Sequence, residues 1–199
     1  ARHCHWIQFS KRSGFDILKS SSAAASGSLS GVIEASNDLG LDIIRNVKAS
    51  SSGLVIGTII SAEELKSTIF KTLTATTEGI AEAAIEASVK LNIDLIPQIS
   101  SASIGSGENA VQTATTLNLS SRNTIEAIKE GLRKGSAKSL PGDGSNIRIT
   151  IDPVEDIDLV EVFEAIEASF SGTIPIIETP FMDDPTIRQV SRIDWFKQI

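Results

Sequence analysis

The stretch Ile33-Glu34-Ala35-Ser36-Asn37-Asp38-Leu39-Gly40-Leu41-Asp42-Ile43-Ile44 returns as Ile85-Glu86-Ala87-Ser88-Val89-Lys90-Leu91-Asn92-Ile93-Asp94-Leu95-Ile96. Both copies read Ile-Glu-Ala-Ser, four variable residues, then an aliphatic, Asp and two aliphatics. A third copy, Ile166-Glu167-Ala168-Ser169-Phe170-Ser171-Gly172-Thr173-Ile174-Pro175-Ile176-Ile177, keeps the frame with Pro175 in the Asp position. Ala and Ser are common in this chain, so the four-residue motif alone carries little weight. The aliphatic block in the same register carries more, and marks an internal repeat.

The pattern predicts a helix running into a strand. Val32, Ala35, Ser36 and Leu39 lie at helical spacing, as do Ala81, Ala84, Ile85 and Ser88, and Leu159, Val162, Phe163 and Ile166. Gly40 and Asn92 stand where a left-handed residue stops a helix, and Gly172 does the same one place earlier. The blocks that follow are short, β-branched and apolar, as buried strands are. Pro175 lacks an amide donor, which puts the third strand at an edge or a bend.

Outward from each copy the surroundings also repeat. Residues 41–49 and 54–60, joined by Ser50-Ser51-Ser52-Gly53, read as a hairpin, as do 93–103 and 111–119 across Gly105-Ser106-Gly107. The second turn has the glycines of a phosphate cradle without the surrounding fingerprint, and is weighted as a hairpin. In the third copy, Met182-Asp183-Asp184-Pro185 precedes Ile187 to Trp195 as a hairpin or as the entry to a terminal helix. Ser61 with Glu64, and Asn123 with Glu126, read as capping boxes of a closing helix. Opening strands are predicted at 15–20, 68–74 and 146–151. For the second of these, a helix continuing from Ala62 through Leu73 fits almost equally.

Strand, loop, helix, strand, hairpin and closing helix together resemble the ACT domain, a small βαββαβ regulatory module. In that family a Gly precedes the second strand by fourteen residues. Gly27 stands fourteen before Leu41 and Gly79 fourteen before Ile93. Gly27-Ser28-Leu29-Ser30 and Gly79-Ile80-Ala81-Glu82 occupy the place of the family's Pro-Gly-Leu-Leu, with Ser26 and Glu78 instead of Pro; the third copy has Val160 at the Gly position. The resemblance covers residues 15–178. It implies an α+β fold of tandem ferredoxin-like modules, with antiparallel sheets covered by helices. The expected division is an extension at 1–14, repeats at 15–67 and 68–140, and a diverged third repeat with a tail at 141–199.

The resemblance further implies that an amino acid or similar small molecule binds between units. Ser26, Gly27, Ser28, Glu78 and Gly79 would form the ligand loops. A Gly before a helix lets a ligand approach the backbone, and free amides at a helix start suit a carboxylate. Asp42 and Asp94 match a family position that contacts the ligand's amino group; read from the residues alone, they are strand ends facing water.

Composition narrows the remaining chemistry. The 199 residues are 41% hydrophobic, enough for a core, and no apolar run approaches the roughly 18 residues of a membrane helix. A net charge of −7 argues against a basic nucleic-acid face. Cys4 is the only cysteine, which excludes an internal disulfide and fits a reducing compartment. The basic start, Arg2 to Arg12, reads either as the remnant of a removed targeting peptide, as in an organelle such as a plastid, or as an arbitrary boundary. His3 and His5 are the only histidines, too few with Cys4 for a structural zinc site. No Tyr exists, and no His lies elsewhere to activate a nucleophile. Adjacent carboxylates such as Glu63 and Glu64 point apart on a helix. Trp6, Phe9, Trp195 and Phe196 gather aromatics near both ends, as docking anchors or as caps of the core.

The expectation is therefore a non-catalytic regulatory subunit without metal or cofactor, binding a small effector and controlling a partner enzyme. Its sheet edges would pair with a partner protein or a second copy. The alternative is a purely structural scaffold subunit of a larger complex.

Overall fold

The computed structural model describes residues 10, 12–140 and 159–171. Six helices stand among them: α1 (Ile17–Asp38), α2 (Ile43–Glu64), α3 (Ile69–Leu91), α4 (Leu95–Thr116), α5 (Ser121–Ser139) and α6 (Leu159–Phe170). No strand occurs among the described residues, which overturns both the α+β expectation and the ACT resemblance. No helix among them is long and apolar enough to cross a membrane.

The turns explain why helices stand where strands are expected. Gly14, Gly40, Lys66, Asn92 and Asn118 all have positive φ, and they stand 26 residues apart. After each, the next amide donates to the carbonyl five residues back: Phe15 to Ser10 (2.9 Å), Leu41 to Ser36 (2.8 Å), Ser67 to Ala62 (2.9 Å), Ile93 to Ser88 (3.0 Å) and Leu119 to Ala114 (2.8 Å). This is the helix-ending motif built on a left-handed residue. One residue further on comes the N-cap of the next helix: Asp16, Asp42, Thr68, Asp94 and Ser120. Asp16 accepts from the Leu18 amide (2.9 Å), Asp42 from Arg45 (3.0 Å), Asp94 from Ile96 (3.2 Å) and Ser120 from Asn123 (3.2 Å).

Gly40 and Asn92 thus end helices, as the sequence predicts. The aliphatic-Asp-aliphatic blocks after them are turn, cap and first turn of another helix rather than strands. The predicted hairpins at 41–60 and 93–119 are the bodies of α2 and α4, and the predicted opening strands at 15–20 and 68–74 are the starts of α1 and α3. Ser61 lies in the last turn of α2, and Asn123 lies inside α5, whose cap is Ser120. The expected strand at 146–151 and most of the third copy fall outside the described residues. Ile166-Glu167-Ala168-Ser169 is helical, on α6.

Ser and Thr hide the helical period because their hydroxyls do not mark a polar face. Thr58 donates to the Leu54 carbonyl (2.8 Å), Thr77 to Leu73 (3.0 Å), Ser88 to Ala84 (2.6 Å) and Ser103 to Ile99 (2.7 Å). Each of these four hydroxyls is satisfied by its own helix one turn back, so these residues sit in the core.

Alternate helices lie side by side. α1, α3 and α5 form one layer; α2, α4 and α6 form the other. Within a layer the register advances together: Gly79 lies on Ser22 and Lys90 pairs with Glu34, so α1 and α3 are parallel. Ser101 donates to the Ile44 carbonyl (2.7 Å) and Asn109 to Ser52 (2.8 Å), so α2 and α4 are parallel too. The 52-residue repeat is a helix hairpin stacked on its successor, as in a solenoid. Leu29, Ile33, Ile59, Leu73, Ile80, Ile85, Leu95, Ile99 and Ile128 are fully buried in one core shared by the two layers. With no sheet edge among the described residues, the expected edge-to-edge association has no basis there.

Candidate functional site

The predicted loop residues lie inside helices. Ser26, Gly27 and Ser28 are in the middle of α1, and Glu78 and Gly79 in the middle of α3. Their amides belong to helical ladders, so none is free for a carboxylate. Gly79 is buried, and a Cβ there would overlap the Ser22 carbonyl; Gly27 faces open space. Asp42 and Asp94 use their side chains as caps at turns. The predicted residues therefore do not assemble a ligand site. Only Glu78 joins the depression described next.

That depression is a groove of about 1040 Å³ across the layer of α1, α3 and α5. Leu18, Lys19, Ser22 and Ala23 of α1 form one wall. Phe70, Lys71, Thr74, Ala75, Glu78 and Glu82 of α3 form the floor, and Asn123, Glu126, Ala127, Glu130, Lys134 and Lys138 of α5 form the opposite wall. Small residues bring the helices close, so the long side chains stand up along the rim. The Thr74 hydroxyl fastens the floor to α5 through the Ala127 carbonyl (3.1 Å).

Charge is distributed unevenly along the groove. At one end Lys138 of α5 meets Glu82 at 2.5 Å and Glu78 at 3.7 Å, both from α3, and Lys134 pairs with Glu130 at 2.6 Å. The hydrogen bond and the charge of Glu82 hold the Lys138 ammonium above its ordinary range. The hydrogen bond to Glu130 does the same for Lys134. At the other end Lys19, Lys71 and Glu126 have no ion-pair partner among the described residues, and they flank the half-buried Phe70 and Leu18.

This arrangement sets apolar surface at Phe70, Ala75 and Leu18 beside charges of both signs. No His, Cys or Tyr lines it. No cluster of three metal-ligating side chains occurs among the described residues. The sequence does carry a signal for the far wall: Glu126, Glu130, Lys134 and Lys138 recur every four residues, a single helical ridge. Neither the known protein families, nor the curated proteins, nor the solved structures contain a match to this chain.

Proposed function

We propose that this chain is a non-catalytic helical-repeat scaffold that holds a segment of a partner protein along the α1–α3–α5 groove. The observation that carries this reading is the groove itself: three parallel helices, apolar surface at Phe70 and Leu18, and Lys19, Lys71 and Glu126 beside it without an ion-pair partner among the described residues. Stacked helical hairpins use such extended surfaces for binding peptides and proteins. A short amphipathic helix with apolar anchors and flanking charges fits the dimensions and the chemistry. Regulation of a partner enzyme is compatible with this mode; recognition of an amino acid through loops at Gly27 and Gly79 loses its support, because both glycines lie in mid-helix and Gly79 is buried against the Ser22 carbonyl.

The test is selection of peptides from a displayed library on the purified chain, followed by anisotropy titration. Enriched peptides should bind saturably, and Lys71→Glu combined with Glu126→Lys should weaken them about tenfold. Arg45→Glu, outside the groove, should have no effect. Failure of any peptide to titrate, or equal loss in both variants, would count against the groove. Saturable thermal stabilisation by a free amino acid would favour the sensing alternative.

A further inference from the structure

α6 does not continue the register of the stack. Parallel neighbours meet 57 residues apart, at Gly79 and Ser22, Gly105 and Lys48, and Gly131 and Thr74. α6 meets α4 differently. The Ser169 hydroxyl reaches the Ser100 carbonyl, 69 residues back, at 3.5 Å, and the Phe170 ring lies on Gly107, 63 residues back. α6 has 12 residues where α1 to α4 have 22 or 23. Among the described helices it touches α4 and α5 alone.

The surface beneath α6 also departs from the repeat. In α3, Thr77 and Ala81 are fully buried where they face Gly131 and Gly135 of α5. The residues 52 further on, in α5, are Lys129 and Arg133. Both clasp one carboxylate, Glu167 of α6, with Lys129 at 2.7 Å. The Lys129 ammonium also lies 5.6 Å from the centre of the Phe170 ring. Val162, Ile166 and Phe170 of α6 are buried, and they recur every four residues as one stripe with Glu167 at its edge. Two cations beside an apolar seat at Gly107 thus form a receptor for a helix of this pattern. The clasp stays within reach of solvent, since the side chains of Glu167 and Arg133 are 41% and 44% exposed.

We propose that the α4–α5 surface is a second docking site, apart from the groove, for a partner helix carrying an aliphatic, Glu, two further residues and Phe, and that α6 is its built-in competitor. Ile166-Glu167-Ala168-Ser169-Phe170 displays the chemistry the surface accepts. The carboxylate bridges Lys129 and Arg133 as a charge-assisted pair. The ring takes the seat on Gly107, and the aliphatic before the Glu enters the core. An outside helix with these anchors binds in the same way, by its apolar face and one placed charge. Because α6 is tethered, it acts at a high effective concentration and keeps the surface covered until a helix of higher affinity displaces it.

The probe is a fluorescein-labelled synthetic peptide of residues 159–171, titrated by anisotropy into the full chain. The wild-type chain should bind it weakly, since its own α6 competes. Glu167→Lys with Phe170→Ala in the chain should open the surface and strengthen binding at least about tenfold. On that opened chain, a peptide carrying Glu167→Lys should bind about tenfold more weakly than the native peptide. Adding Lys129→Glu and Arg133→Glu to the opened chain should invert this preference. An opened chain that binds the peptide no more tightly than the wild type overturns the proposal, as does a preference that ignores the charge exchange. So does a loss of helical circular dichroism in the opened chain beyond the 12 residues of α6, which would make α6 part of the fold. Self-association of the wild type that Glu167→Lys abolishes would assign the surface to α6 of a second copy and overturn the outside partner.

Discussion

Gly79 of α3 lies directly on the backbone carbonyl of Ser22 in α1, with no room for a Cβ between them. The contact recurs 52 residues on, where Gly131 of α5 lies on the Thr74 carbonyl of α3, and in the other layer, where Gly105 lies on the Lys48 carbonyl. Parallel neighbours are thus seated backbone to backbone at glycines, α5 at a second one as well, Gly135 on the Glu78 carbonyl.

This gives opposite signs to chemically identical substitutions. Gly79→Ala and Gly131→Ala force parallel helices apart and should cost about 2–3 kcal/mol. Gly27→Ala meets nothing within 4 Å. It should instead stabilise by up to about 1 kcal/mol, through helix propensity. Urea unfolding of the variants measures the difference.

The turns make a second comparison. Lys66 has a φ of 49° in the position that Gly40 fills at 63°. Lys66→Gly should stabilise by about 0.5–1 kcal/mol, and Gly40→Val should destabilise by about 1 kcal/mol or more. Asp94→Ala removes a cap and should cost about 1 kcal/mol. Thermal and urea midpoints report all three.

Acidification should loosen α6 first. Glu167 receives Lys129 at 2.7 Å and also Arg133 of α5, and its carboxyl is held below the ordinary range, chiefly by the Lys129 hydrogen bond. A lowered carboxylate pKa contributes stability above the unfolded value and loses it as pH falls through the folded value. Hydrogen exchange of α6 should therefore accelerate below about pH 4.5, and Glu167→Gln should flatten that dependence. Lys134 and Lys138 act at the other extreme. Their raised values contribute stability below the unfolded lysine range that is lost as pH rises through the folded values.

Phe170 is the apolar anchor of the same helix. Its ring is 3% exposed, packs against Gly107 of α4, and lies 5.6 Å from the Lys129 ammonium. Phe170→Ala should cost about 3–4 kcal/mol. It should also release protection in α6 before α1 to α4, as exchange measured by mass spectrometry would resolve.

The repeat and its helix stops were legible in residues 33–44 and 85–96, because Gly40 and Asn92 mark a left-handed turn in any context. The cap at Asp42 or Asp94 was legible too, yet between two aliphatics the same Asp resembles a strand start. The groove was legible only in part. The ridge from Glu126 to Lys138 is visible as a four-residue period, but Lys19 and Lys71 acquire their setting from helices about 50 residues distant in the chain.

By itself the sequence determined a local program: a stop and a cap every 26 residues, with an apolar residue between them except at Ser67, and Ala, Gly, Ser and Thr along the helices. Such residues are compatible with a helix seam, a loop or a thin sheet cover, since none carries a strong face preference. Tertiary packing decided between them. Hydroxyls bonded to carbonyls one turn back can be buried, and glycines seated on a neighbour's carbonyl bring long helices within reach of a common core. Those contacts join residues 57 positions apart, at Gly79 and Ser22, at Gly105 and Lys48, and at Gly131 and Thr74. No local pattern encodes them, because their energy exists only once parallel helices lie side by side.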